Sequence, residues 1–155
     1  MFKVYERKPR AWWPVVAALV FICVTVVLFY PTSYVVIPPW KVLVVDVSGK
    51  PLPYTFVRQH WKDYSVESVG HEQDSETDES GYVSFPERTG KASVFSRTSG
   101  LVIGSISPHG SAGPHAHILA LGELVDGRRL EGYASYYPGE PIPDQLEATW
   151  VDLFP

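Results

Sequence analysis

Three histidines, His109, His115 and His117, fall within nine residues of the segment SPHGSAGPHAHI (residues 107–118). His115 and His117 are two apart, so on a strand they share a face. Two imidazoles on one face and a third from a Gly-rich loop could hold Zn²⁺ or Cu²⁺. The segment has no cysteine and no carboxylate to help; the plainer use is a polar loop with exposed or hydrogen-bonded histidines. A second group is acidic. In HEQDSETDES (residues 71–80), Asp74, Glu76 and Asp78 alternate as calcium-loop ligands do. The EF-hand pattern breaks further on, with Glu79 at the place of the glycine and Phe85 at that of the bidentate glutamate. A solvated acidic loop is the default for such a run. Serine, histidine and aspartate are all present, but no G-x-S-x-G marks a nucleophile and no H-E-x-x-H marks a zinc hydrolase. The expected function is therefore non-catalytic, with no catalytic residue and no bound cofactor beyond the Cu or Zn that the histidines could take.

The elements that must carry these residues follow from the distribution of charge. No charged residue lies between Arg10 and Lys41. Within that gap runs Trp12 to Tyr30, WWPVVAALVFICVTVVLFY, nineteen residues with aromatics at both ends. As a helix it would rise about 28 Å, close to the ~30 Å apolar core of a bilayer. Its valines favour strands in water, but in lipid a single segment must satisfy its own backbone, and helix wins. A buried core helix seldom avoids charge for so long. A cleaved signal peptide would need small residues after the apolar run, which FYPTSYVV lacks. Phe21 and Ile22 stand where a lipoprotein signal before Cys23 would have small residues. The expectation is an uncleaved signal-anchor, a single-pass transmembrane helix over residues 12–30, with Cys23 a small apolar residue within it. Lys3, Arg7, Lys8 and Arg10 against Glu6 place residues 1–11 as a short basic cytoplasmic tail.

The remainder, Pro31 to Pro155, carries nine Lys and Arg against sixteen Asp and Glu. That acidity argues against nucleic acid as a partner. It holds no cysteine, hence no disulfide, which suits a periplasmic or other envelope location better than a small secreted scaffold. Residues 31–40, with three prolines, predict a short stiff linker or an irregular first strand. From Lys41 on, no apolar period of 3.6 persists over ten positions. Short β-branched and aromatic runs predict strands at Lys41–Val47, Tyr54–Trp61, Tyr64–Val69, Tyr82–Phe85, Ala92–Arg97, Leu101–Ile106, His117–Leu124, Leu130–Tyr137 and Glu147–Leu153. Gly- and Pro-bearing turns separate them. Many short strands at this spacing predict an all-β, antiparallel sandwich of about seven to nine strands over residues 41–155. Trp61, Tyr64, Tyr82, Tyr133, Tyr136, Tyr137 and Trp150 lie within or beside these runs, a placement that favours core and rim; on one open face they would instead anchor a partner.

The stretch VVDVSGKPLPYTFV followed by TDESGYVSF resembles the carboxypeptidase regulatory-like domain, one of the transthyretin-like (prealbumin-like) β-sandwiches. The pattern comprises an apolar strand, Asp46, Gly49, Pro51-Leu52, a second strand with inward Val57, then Thr77-Asp78, Gly81 and Phe85. It covers roughly Val42 to Phe85, and the segment between Lys62 and Glu79 is longer and more acidic than the pattern expects. Transthyretin-like hydrolases of hydroxyisourate end in Tyr-Arg-Gly-Ser; this chain ends VDLFP, so the resemblance does not bring that activity with it. Nor do regulatory-like domains hold a peptidase zinc. The resemblance implies a module for protein or ligand interaction; joined to the anchor and orientation read from the charge distribution, it is expected outside the cytoplasm, with another envelope or surface protein as its partner.

Overall fold

In the computed structural model of the chain, residues 12–106 and 110–152 are described. The uncharged leader forms α1 (Trp13–Phe29), with Pro14 in its first turn, where a missing N–H costs nothing. Its one polar side chain, Thr25, donates to the Phe21 carbonyl at 2.8 Å, so the helix satisfies its own hydrogen bonds. Among the described residues nothing buries any residue of it. Among the described residues no helix is long and apolar enough to cross a membrane.

Among the described residues nine strands follow: β1 (Thr32–Ile37), β2 (Trp40–Asp46), β3 (Phe56–Asp63), β4 (His71–Glu76), β5 (Tyr82–Phe85), β6 (Arg88–Ala92), then, after a helix α2 (Val94–Ile106), β7 (Pro114–Val125), β8 (Arg128–Tyr136) and β9 (Gln145–Asp152). Seven form one sheet in the order β4-β3-β7-β8-β9-β2-β5, and β1 with β6 forms a separate antiparallel ribbon. The large sheet curls nearly into a barrel. Alternation decides its faces. Val57, Gln59 and Asp63 of β3, Ala116, Ile118 and Ala120 of β7, Leu130 and Ala134 of β8, and Leu146 and Ala148 of β9 turn inward and are buried. They meet Val42 and Val44 of β2, Val83 and Phe85 of β5, and Val36 and Ile37 of the ribbon. Trp40 sits among them, and its indole N–H donates to the Pro143 carbonyl at 2.7 Å.

Two turns repeat one device. Asp46 Oδ1 accepts from the backbone N–H of Ser48 and Lys50 at 2.8 and 3.0 Å, and Gly49 takes φ +81°. Asp78 Oδ1 accepts from Ser80 and Tyr82 N–H at 2.8 and 2.9 Å, and Gly81 takes φ +82°. A short carboxylate that imitates backbone and a residue free to adopt positive φ are what these turns demand. The Ser48 hydroxyl, first, and the two N–H groups hold the Asp46 carboxyl below its ordinary range. Buried Thr77 ties the turns together: its hydroxyl donates to the Leu52 carbonyl at 2.7 Å and accepts from Thr55 N–H at 2.8 Å.

The architecture is mostly β, as expected, with four departures. β2 and β9 pair in parallel, from Leu43 opposite Gln145 to Asp46 opposite Ala148, so the sheet is mixed rather than wholly antiparallel. Of the two readings of residues 31–40, the free linker does not hold and the irregular strand does: β1 pairs with β6, with a register shift between Val35 and Ile37, and Val36 and Ile37 are buried in the core. Tyr64–Val69 is turn, and the acidic run is instead strand β4, paired with β3 along its whole length. The predicted strands Ala92–Arg97 and Leu101–Ile106 belong largely to one helix, α2. The Ser93 hydroxyl accepts from Ser96 N–H at 3.1 Å at its start, an N-cap that competes against the strand propensity of Val, Phe and Ile. Gly100 and Gly104 then let the helix lie close on the loops before β4 and β7. A Cβ on Gly100 would run into the backbone carbonyl of Ser65, and one on Gly104 would come within 2.7 Å of the Ser111 carbonyl oxygen.

Candidate functional site

The outward positions of β4, β3, β7 and β8 build one continuous face. Pairing sets its rows. Glu72, His60, His117 and Ser135 lie side by side across the four strands; the next row is Asp74, Arg58, Leu119 and Tyr133; on the other side Lys62 stands opposite His115. Ring contacts bind the rows. His60 stacks on His117 with centroids 4.8 Å apart, and His117 meets Tyr133 at 5.5 Å. His115 lies between Tyr64 at 5.1 Å and Tyr137 at 4.9 Å. Gly70 leaves the space that the His60 ring occupies, since a Cβ there would collide with Nε2. Tyr133 is 63% exposed and Tyr137 44%. The tyrosines thus stand outside on this face and not in the core: Tyr133 occupies an odd position of β8 and Tyr137 follows its last residue, while the even positions, Leu130 to Tyr136, point inward.

The electrostatics of the face are mixed. Arg58 donates from Nε to Asp74 Oδ1 at 2.6 Å and from Nη2 to Oδ2 at 2.8 Å, and lies 3.4 Å from Glu72. This forked pair, chiefly through its hydrogen bonds, holds the Asp74 carboxyl below its ordinary range and raises the guanidinium further above its own. His117 is pushed down from the usual histidine value, first by desolvation and then by the neighbouring His60, against a smaller opposing pull from Glu72. A histidine depressed in the fold stays neutral where the unfolded chain has taken its proton. Stability is then complete above about pH 6.5, the unfolded value, and falls as pH drops below it. The His117→Asn protein should lose stability less steeply than the parent between pH 6.5 and 5, by less than the ~1.4 kcal/mol per pH unit of one full proton. Urea midpoints at a series of pH values measure it; identical slopes would reject the assignment to His117.

His115 and His117 share the face as their spacing requires, but each ring is taken up by different aromatic neighbours. His109 lies outside the described residues. Asp74 is committed to Arg58, Asp78 to its turn, and Glu76 sits opposite Phe56 at the end of β4. Among the described residues, no three His, Cys, Asp or Glu side chains converge to hold a metal ion. Missed from sequence was His60, which enters the face only through the pairing of β3 with β7; no local signal marks that register.

A second polar cluster lies inside. Tyr34 donates to Asp63 Oδ2 at 2.6 Å, Asp63 Oδ1 accepts from Ser65 N–H at 2.9 Å, and the Arg97 guanidinium covers the Tyr34 ring at 4.2 Å. Burial, and then the bond to Asp63, drives the Tyr34 phenol above its ordinary value. Leu101 and Gly113 help close a cavity of about 60 Å³ there, below the ~300 Å³ at which organic ligands are usually held. The cluster fastens β1, β3 and α2 together. Beside it Arg88 donates to the buried Gln59 Oε1 at 3.0 and 2.8 Å and lies over Trp61 at 4.1 Å, joining β6 to the large sheet. No protein-family model matches the chain and no curated protein is significantly similar to it.

Proposed function

We propose that the protein is a membrane-anchored, extracytoplasmic, non-catalytic β-module, transthyretin-like in the manner of carboxypeptidase regulatory-like domains, that engages a protein or ligand on its histidine–tyrosine face. The observation that carries this is that face itself: a four-strand surface with Tyr133, Tyr137 and Tyr64 exposed and, among the described residues, no second layer upon it. Rigid aromatic groups at low entropic cost are what binding surfaces concentrate. Strand addition at a sheet edge is the weaker mode here, because β4 is lined with charge and β5 has only four residues. The Asp46–Gly49 and Asp78–Gly81 turns, with Val57 and Phe85 buried, support the kinship in fold.

The anchor is residues 12–30. Seventeen helical residues rise about 26 Å, a few ångströms short of a ~30 Å apolar core. Trp12 and Tyr30 suit the interfaces, and modest thinning of the bilayer covers such a mismatch. The basic residues before the helix orient the β-body away from the cytoplasm. Affinity capture from native membranes tests the face: Tyr133→Ala with Tyr137→Ala should lose at least tenfold of whatever the parent retains specifically, with unchanged thermal stability. Equal retention would end the assignment of the face.

A further inference from the structure

Helix α2 turns its residues the wrong way round for a helix in water. Gly100, Gly104 and Arg97 fall on the side that meets the β-body, while Phe95, Val102, Ile103 and Ile106 fall on the other. These four are 51%, 56%, 65% and 76% exposed. Apart from Arg97 the helix carries no charge. Small residues inward and large apolar residues outward invert the usual amphipathic pattern, and a soluble monomer rarely shows so contiguous an apolar strip.

What lies next to this strip identifies its environment. Only Tyr30 and Pro31 separate the end of α1 from β1, so the β-body sits directly at the helix end with no spacer. The surface it presents there is α2: Phe95, in the first turn, stacks on Phe29, the last residue of α1, with ring centroids 4.7 Å apart. Exposed Lys91 precedes α2 by three residues on β6, and a lysine close to a membrane surface is drawn to phosphate headgroups. We infer that α2 is an interfacial helix, its Phe95–Val102–Ile103–Ile106 face seated in the outer boundary of the same bilayer that α1 enters. This rests on α1 as the anchor. It also relieves that helix's shortness, since a body drawn down onto the membrane brings the end of α1 into the interface.

The test uses the full chain in phosphatidylcholine–phosphatidylglycerol vesicles. Cys23 is first replaced by serine, and single cysteines carry an environment-sensitive nitrobenzoxadiazole label. Ile103→Cys reports on α2, Val20→Cys on α1 and Lys50→Cys on the distant Asp46–Gly49 turn. Lipids with a spin label near the headgroup should quench position 103 several-fold more than position 50, with a blue-shifted emission. Quenching at 20 by deep spin labels but none at 103 overturns the interfacial assignment and leaves the anchor standing. A blue shift at 103 without lipid quenching overturns it too, by showing that a second copy or another protein covers α2. Failure at both 20 and 103 removes anchor and interfacial helix together. Circular dichroism of each labelled chain checks that it is folded.

Discussion

Trp40→Ala is expected to destabilise the protein by about 3–5 kcal/mol, the range for emptying a core site of a large aromatic. Trp40 is 1% exposed and joins β5, opposite Phe85, to the interior. It also meets Tyr136 of β8 edge-on at 6.4 Å, so its loss is felt on both sides of the curled sheet. The indole bond to Pro143 adds a further penalty when it is lost, because the carbonyl is left to find water in a partly closed place. Against a total stability of roughly 5–15 kcal/mol for a domain, the variant should unfold at much lower urea than the parent, as read by circular dichroism in detergent. Trp40→Phe separates the contributions: it keeps most of the packing and should cost about 1–2 kcal/mol. A midpoint for Trp40→Ala within error of the parent would mean that the core is not organised around this residue.

The parts of the fold that could be read from sequence are those where local chemistry and tertiary packing agree. Asp46 with Gly49 and Asp78 with Gly81 announce their turns because a capping carboxylate and a positive-φ glycine are needed whatever the rest of the chain does. Tyr82–Phe85 alternates cleanly because one side of it is buried, and Lys41–Val47 shows itself as a short apolar run whose Val42, Val44 and Val45 are all buried. The hidden parts are those where neighbours overrule propensity. β4 reads as a solvated loop, yet its acids pair with Arg58 along the sheet edge. α2 reads as two strands by its Val, Ile and Phe content; Ser93 and the two close-approach glycines make it a helix. The parallel pairing of β2 with β9 joins residues about a hundred positions apart, and no local pattern encodes it.

The same limit applies to the candidate site. His115 and His117 could be placed on one face by counting, but their partners could not. His60 is opposite His117 only because β3 and β7 are registered as they are, with Lys62 opposite His115. Tyr133 and Tyr137 look like core from their strand-like surroundings; the even residues of β8 claim the interior and leave them outside. A change of register by one residue would exchange the two sets.

Gly100→Ala is the sharpest probe of how the β-body holds α2. Alanine is the better helix former by about 1 kcal/mol, so in an undocked helix the change would stabilise. Here the new methyl meets the Ser65 carbonyl and not a side chain that can swing away. Nor is that loop free to yield: Ser65 N–H donates to Asp63 at 2.9 Å, its hydroxyl accepts from Gly113 N–H at 2.9 Å, and Tyr64 N–H donates to the Gly113 carbonyl at 2.9 Å. The helix must therefore shift outward, loosening Arg97 from Tyr34 and Leu101 from the small cavity between them. Overpacking of this kind costs about 1–3 kcal/mol, so hydrogen exchange at the amides of α2 should quicken by about ten- to a hundredfold while those of β7 and β8 keep their protection. Thr98→Ala, on an exposed position of the same helix, is the control and should slow exchange in α2. If Gly100→Ala does the same as Thr98→Ala, α2 is not docked through Gly100, and its outward apolar strip would need another explanation.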